Sequence, residues 1–338
     1  VPTFLVTHKM PPELAARVRA RVSGRRVAPW GAPTERWIAR KARELAPRLR
    51  TLGRFVAVAA LVAAVYTVGS RWRRERLHLA SARATLLEEV RARGAELADD
   101  DRSVVDRADG WLMRLAGPYE GDFVDDAMRA PGAMQEVLGR PSMYVRGPVE
   151  AFASPASIAS AAAASFKDPL VLCLVDPPSA RSEKAMMHPI HATYDGGQAA
   201  EGAAPHVRLL GEAVAGLPYL LPSWTSHVEE APSIAAIDDL RAEFRAAHTE
   251  RALRALKATV LLWAFDEAGT HDGPTELDGE RPHDIRLGLV DLAASKLLLR
   301  LRRHVDPAWI STPRRMEYAA GLDACALAYD VNAELRRR

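Results

Sequence analysis

His188 and His191, in the stretch MMHPIHATYDGG, have a spacing that suits metal chemistry. An HxxH pair can present two imidazoles to a metal from a helix or a turn. Pro189 stands between them and breaks a regular helical presentation. No HExxH glutamate occurs, and the sequence names no third ligand. The second candidate set is carboxylate. Asp176, Asp266 and Asp291 each follow an apolar run of strand length. Sites in parallel sheets lie at the carboxyl ends of strands, and carboxylates there can hold Mg²⁺. Aspartate is also a common turn residue and helix N-cap. Asp291 falls in an expected hairpin turn, so at most two of the three can share such an edge. The candidate metal ligands are therefore His188, His191, Asp176 and Asp266.

Cys173 lies in the middle of the most apolar run of the chain. A nucleophilic thiolate needs an exposed, electropositive setting, so an inert core thiol is expected. The other cysteine is Cys325. Two cysteines without a CxxC spacing cannot make a four-ligand zinc site by themselves. Two buried thiols are the expectation, and a disulfide is the alternative if this part lies outside the cytoplasm. The motifs GxSxG, GxxxxGK[ST] and GxGxxG are absent, so the common serine-hydrolase, P-loop and dinucleotide signatures are missing. No catalytic residue and no cofactor is named.

The segment that organises the chain is FVAVAALVAAVYTVGS, Phe55–Ser70, which is uncharged over 16 residues. A spanning helix needs roughly 20 apolar residues. Leu52, Gly53 and a snorkelling Arg54 bring this one to length. Its apolar residues cover every side, which fits a membrane span or a deeply buried core helix. Arg54 before it and Arg71, Arg73 and Arg74 after it favour the span. Tyr66 and Trp72 suit an interface. Residues 1–54 carry 13 Lys/Arg against three acids, and the count near the span is seven in 35–54 against five in 71–90. This bias places the N-terminus inside and the C-terminal part outside.

The remaining chain reads as a folded domain behind a stalk. Its 338 residues carry a net charge of +3 and 48% apolar residues, ordinary for a globular protein. Heavy use of Ala, Arg, Gly and Pro suits a bacterial source. Residues 10–24 and 34–50 read as basic helical segments, suited to anionic lipid or to setting topology. Nucleic acid is not expected, because no folded module or aromatic interleaving accompanies the charge. Leu79, Ala82, Leu86, Val90 and Leu97 form an apolar stripe for a stalk helix that packs on its own domain. Val104, Val105, Ala108, Leu112 and Leu115 mark another helix.

Strands are expected at Met143–Val149, Leu170–Val175 and Thr259–Phe265. A hairpin is expected over Ile285–Arg303, with strands Ile285–Val290 and Leu297–Arg302 joined by Asp291–Lys296. Ile285, Leu287, Leu289, Leu297, Leu299 and Leu301 should share its apolar face. The other side is mixed, with Arg286, Arg300 and Arg302 basic and Val290 and Leu298 apolar, and should be partly solvated. Helices are expected at Ala156–Phe166 behind Ser154-Pro155, at Val207–Ala215 closed by Gly216, at Pro232–Ala247 and at 316–335. Residues 179–205 and 217–231 read as irregular.

These readings predict an α+β fold: a mixed or antiparallel sheet of four to five strands packed with amphipathic helices. The expected divisions are a basic segment 1–51, a transmembrane helix 52–71, a stalk 72–116 and a domain 117–338. The expected function is a non-catalytic binding or assembly domain. It is anchored in the bacterial inner membrane through Phe55–Ser70, with a protein partner or self-association. Its rivals are a metal-assisted hydrolase or phosphate-handling enzyme, and a soluble structural protein that buries the 55–70 helix.

Overall fold

The computed structural model describes residues 33–194, 204–267 and 282–336. The segment 10–24 and nearly all of the 267–282 connection lie outside the described residues. The chain divides into two units, Val1–Arg76 and Leu77–Arg338.

The described part of the first unit is helical. Helix α1 spans Pro33–Gly94, and its residues up to Arg76 belong to this unit. It contains a window long and apolar enough to cross a membrane, and none of that window is buried. Phe55, Leu61, Val65 and Tyr66 are each more than 60% exposed. Its Thr67 and Ser70 hydroxyls are satisfied inside the helix. Thr67 Oγ1 donates to Ala64 O at 2.9 Å and Ser70 Oγ to Thr67 O at 3.0 Å. Hydrocarbon demands this of every polar group.

In the second unit, the 77–94 part of α1 buries Leu86, Leu87 and Val90, with Leu79 and Ala82 packed alongside. A single turn at Asp99–Arg102 leads to α2 (Val104–Leu115), which buries Val104, Ala108, Leu112 and Leu115. Strand β1 (Phe123–Val124) precedes α3 (Ala133–Leu138) and β2 (Ser142–Pro148). Helix α4 (Pro155–Ala164) starts at a Ser154 capping box with Pro155 in its first turn. Then come α5 (Pro169–Val175), α6 (Glu183–Tyr194), β3 (Val207–Leu209), α7 (Leu210–Leu220) and α8 (Pro222–Glu230). Helices α9 (Ile234–Ala246) and α10 (Thr249–Leu256) lead to β4 (Val260–Asp266). Strands β5 (His283–Asp291) and β6 (Lys296–Val305) form the hairpin, and α11 (Thr312–Arg336) closes the unit.

The result is α+β with a six-stranded mixed sheet in the order β1-β6-β5-β4-β2-β3. β2 runs parallel to β3 and β4, and the other pairs are antiparallel. Helices cover both faces. In β4, Val260, Leu262 and Ala264 enter one core, with residues of α5, α6 and α11. Leu261, Trp263 and Phe265 enter the other, with residues of α2, α4, α7 and α10. Burial on both faces explains why β4 is apolar throughout instead of alternating.

Several expectations are corrected. The sheet has six strands because β1 and β3, of two and three residues, are too short to leave a pattern. Leu170–Val175 is helical. Asp168 accepts from Leu170 N at 3.1 Å and Pro169 occupies the first turn, so a capped helix start outweighs the strand-like apolar run. Part of 179–205 is helix α6, and 217–231 contains α8. Val207 begins a strand, and α7 continues past Gly216 to Leu220. Gly216 is a packing residue: a Cβ there would stand 2.3 Å from Ala252 Cβ on α10. In the hairpin the register slips between Leu289 and Val290, so Leu289 opposes Leu299 and Val290 opposes Leu297. This bulge sends Leu298 into the core of Leu287 and Leu299, and Leu297 packs on the opposite core. The arginine side is unevenly covered: the Arg302 side chain is 44% exposed. Val290 is fully buried, and the Arg286 and Arg300 side chains are 13% and 15% exposed.

Candidate functional site

The densest buried polar cluster in the second unit lies at the carboxyl ends of the parallel strands β2 and β4. Tyr144 and Arg146 alternate along β2, two residues apart, and so leave the same face. Asp266 is the last residue of β4, and His283 is the first of β5. Asp168 caps α5. Arg146 grips Asp266 in a fork, Nε to Oδ2 at 3.0 Å and Nη2 to Oδ1 at 2.8 Å. Its Nη1 donates to Asp168 Oδ2 at 2.9 Å. Tyr144 donates its hydroxyl proton to the same oxygen at 2.9 Å. His283 Nε2 stands 3.6 Å from Asp266 Oδ1.

The electrostatics follow from two carboxylates sharing one guanidinium. Burial pushes the Asp266 carboxyl up, but Arg146 and His283 outweigh it and hold Asp266 below the usual range. At Asp168 burial wins over Arg146 and Tyr144, and its carboxyl is raised. Burial and the neighbouring carboxylates also raise the Tyr144 hydroxyl well above its ordinary value, so it acts as a donor. Asp323 on α11 faces the same cluster. Burial raises it to about 7, against the opposing charges of His283, Arg146 and Arg181. Both of its carboxylate oxygens are buried without a hydrogen-bond partner.

No family model, curated protein or solved structure matches the chain. The chemistry of the cluster is therefore read from its geometry. The three guanidinium nitrogens of Arg146 are all engaged, and both oxygens of Asp168 and of Asp266 are taken. The group ties β2, β4, β5 and α5 together. Its guanidinium is fully engaged, and Asp323 is the carboxyl beside it that has no hydrogen-bond partner among the described residues.

The residues singled out by sequence are scattered. Asp266 belongs to the cluster. Asp176 is exposed at the C-cap of α5, so it follows a helix and not a strand. Asp291 ends β5 and accepts from Arg140 Nη1 at 2.9 Å. His188 and His191 lie on the exposed side of α6, which runs through Pro189, while Met186 and Ile190 point into the core. No group of three or more His, Cys, Asp or Glu among the described residues is placed to hold a metal ion. Cys173 and Cys325 are not separate thiols. They are disulfide-bonded with a Cα–Cα distance of 5.2 Å, and both are fully buried between α5 and α11.

Sequence reading missed Tyr144, Arg146, Asp168, His283 and Asp323. Arg146 and Asp266 are 120 residues apart, so no local spacing announces the pair. A signal did exist for two of them. Asp168-Pro169 repeats the cap signature of Ser154-Pro155, and Asp323 is a lone acid in the apolar run GLDACALAY.

Proposed function

We propose that this chain is a single-span membrane protein of the bacterial envelope. In this reading the Leu77–Arg338 unit is a non-catalytic binding or assembly domain held outside the cytoplasm. The observation that carries the proposal is the exposed apolar helix surface over Phe55–Ser70, flanked by arginines at both ends. Each Val, Leu or Phe left in water forgoes about 1.5–3 kcal/mol of burial free energy, and a bilayer would recover it. The cytoplasmic placement of the N-terminus is supported by the Lys/Arg excess before the span. A buried disulfide in the second unit supports an oxidising compartment for it. The closed ion-pair cluster around Arg146 supports a structural use of its charges. Contact with lipid runs through Phe55–Ser70, and the domain serves a protein partner or a second copy.

Alkaline phosphatase fused after Arg338 is expected to be active, with a cytoplasm-only reporter silent at the same position. The opposite pattern would reverse the topology. Crosslinking in membranes should recover the chain in a species larger than its own 36.9 kDa. A chain that stays monomeric in its native membrane would remove the assembly reading.

A further inference from the structure

A cleft of about 280 Å³ opens in the second unit beside the corner where α9 turns into α10, with Arg93 of α1 on its rim. We propose that this cleft binds a compact phosphate-type anion, the headgroup of a phosphomonoester lipid or a soluble phosphate. This deepens the binding role assigned above to the Leu77–Arg338 unit.

The first observation is unspent positive charge. Arg245 and Arg254 line the cleft, and neither side chain has a hydrogen-bond or ion-pair partner among the described residues. Arg93 is already committed, to Glu96 at 3.2 Å and Glu250 at 2.6 Å. That bridge pairs the Glu250 carboxylate, which also lines the cleft, with a cation. Glu89 on the rim is the remaining acid, and Arg251, which has an interaction of its own, also lines the cleft. The lining therefore carries four arginines against two glutamates.

The second observation is a buried donor. Thr249, the first residue of α10, is 6% exposed and lines the cleft, yet its hydroxyl has no partner among the described residues. A bound acceptor would give this hydroxyl the partner it lacks. The Thr249 and Glu250 N–H groups make no backbone bond either, as first-turn donors of α10; the first donors to find an acceptor are Arg251 N and Ala252 N, on His248 O at 2.8 and 3.2 Å. Thr249, Glu250 and the two unpaired arginines, Arg245 and Arg254, thus line one concavity. Tetrahedral phosphate supplies several acceptor oxygens to such a set, and arginine forks match it bidentately.

The test uses the full chain in dodecylmaltoside and in lipid nanodiscs. Inorganic phosphate, titrated at constant ionic strength against chloride, should raise the melting temperature of the detergent-solubilised chain. Arg254→Gln and Arg245→Gln should each weaken phosphate binding about tenfold, the loss of one charge-assisted contact. Thr249→Val should weaken it and Thr249→Ser should restore it. Nanodiscs containing phosphatidic acid are then compared with phosphatidylcholine alone. If phosphatidic acid blocks phosphate binding, the headgroup is the natural occupant; if it does not, the soluble anion is. The proposal is overturned if phosphate leaves the melting curve unchanged. It is also overturned if the two glutamine variants, melting normally without phosphate, bind it as the parent does. Neither outcome would disturb membrane anchoring or assembly, which sedimentation and crosslinking read separately.

Discussion

Both oxygens of Asp323 are buried without a partner, and burial raises this carboxyl from 3.8 to about 7. An acid whose pKa is raised by folding stabilises the fold fully below its unfolded pKa. That contribution falls as pH climbs towards the folded value. Three units correspond to about 4 kcal/mol. Asp109, raised to about 6 by burial and then by Asp106, acts in the same direction. Asp266 and Asp291 are held low and act oppositely, so their contribution is lost only as pH falls below about 4. The melting temperature should therefore fall between about pH 4 and about pH 7, and Asp323→Asn should flatten that fall. Equal slopes for parent and variant in thermal melts would refute the assignment. Arg146→Met should be more damaging, about 3–5 kcal/mol, because it strands two buried carboxylates. Denaturant unfolding at pH 7 reads it. Of this cluster the sequence revealed only Asp266, because it terminates an obvious strand. Its partners come from elsewhere in the chain, and only the fold brings them together.

Elements were legible where one period dominated. β4 and the β5–β6 hairpin could be read because apolar runs and alternation marked them. α5 was misread because six consecutive apolar residues look alike in a buried strand and a buried helix; only its Asp-Pro start distinguished them. The bulge between Leu289 and Val290 could not be read at all, since it reverses the faces of Leu297 and Leu298 without a glycine or proline to mark it. Leu299→Ala should accordingly cost about 2–5 kcal/mol, and Leu297→Ala, at a partly buried position, should cost less. Equal losses in melting experiments would return the hairpin to an unbroken register. Gly288→Ala tests the same strand from the other side. Its Cβ would stand 2.0 Å from Leu299 O and 2.9 Å from Trp263 Cζ2, so a loss of about 1–3 kcal/mol is expected. A neutral result would show that β5 and β6 can separate to admit a methyl group.

For the whole molecule, sequence distinguished the exposed apolar span from the stalk that packs. The stripe from Leu79 to Val90 could be seen as helical and is buried in the second unit. The disulfide could not be read, because Cys173 and Cys325 are 152 residues apart and their pairing depends on α5 being a helix beside α11. Closing so long a loop stabilises the domain by restricting the unfolded chain. Cys173→Ala with Cys325→Ala should cost about 2–5 kcal/mol, read as a lower melting temperature in nanodiscs. A pair of variants that melts like the parent would mean that the thiols are not joined in the native protein. The central claim is the anchor. The most direct measurement is sedimentation of the full-length chain with membranes after alkaline carbonate extraction, beside a chain beginning at Leu77. The full-length chain should remain in the membrane pellet until detergent is added, and the shorter chain should stay in the supernatant. A full-length chain that is released by carbonate and remains soluble without detergent would contradict the account.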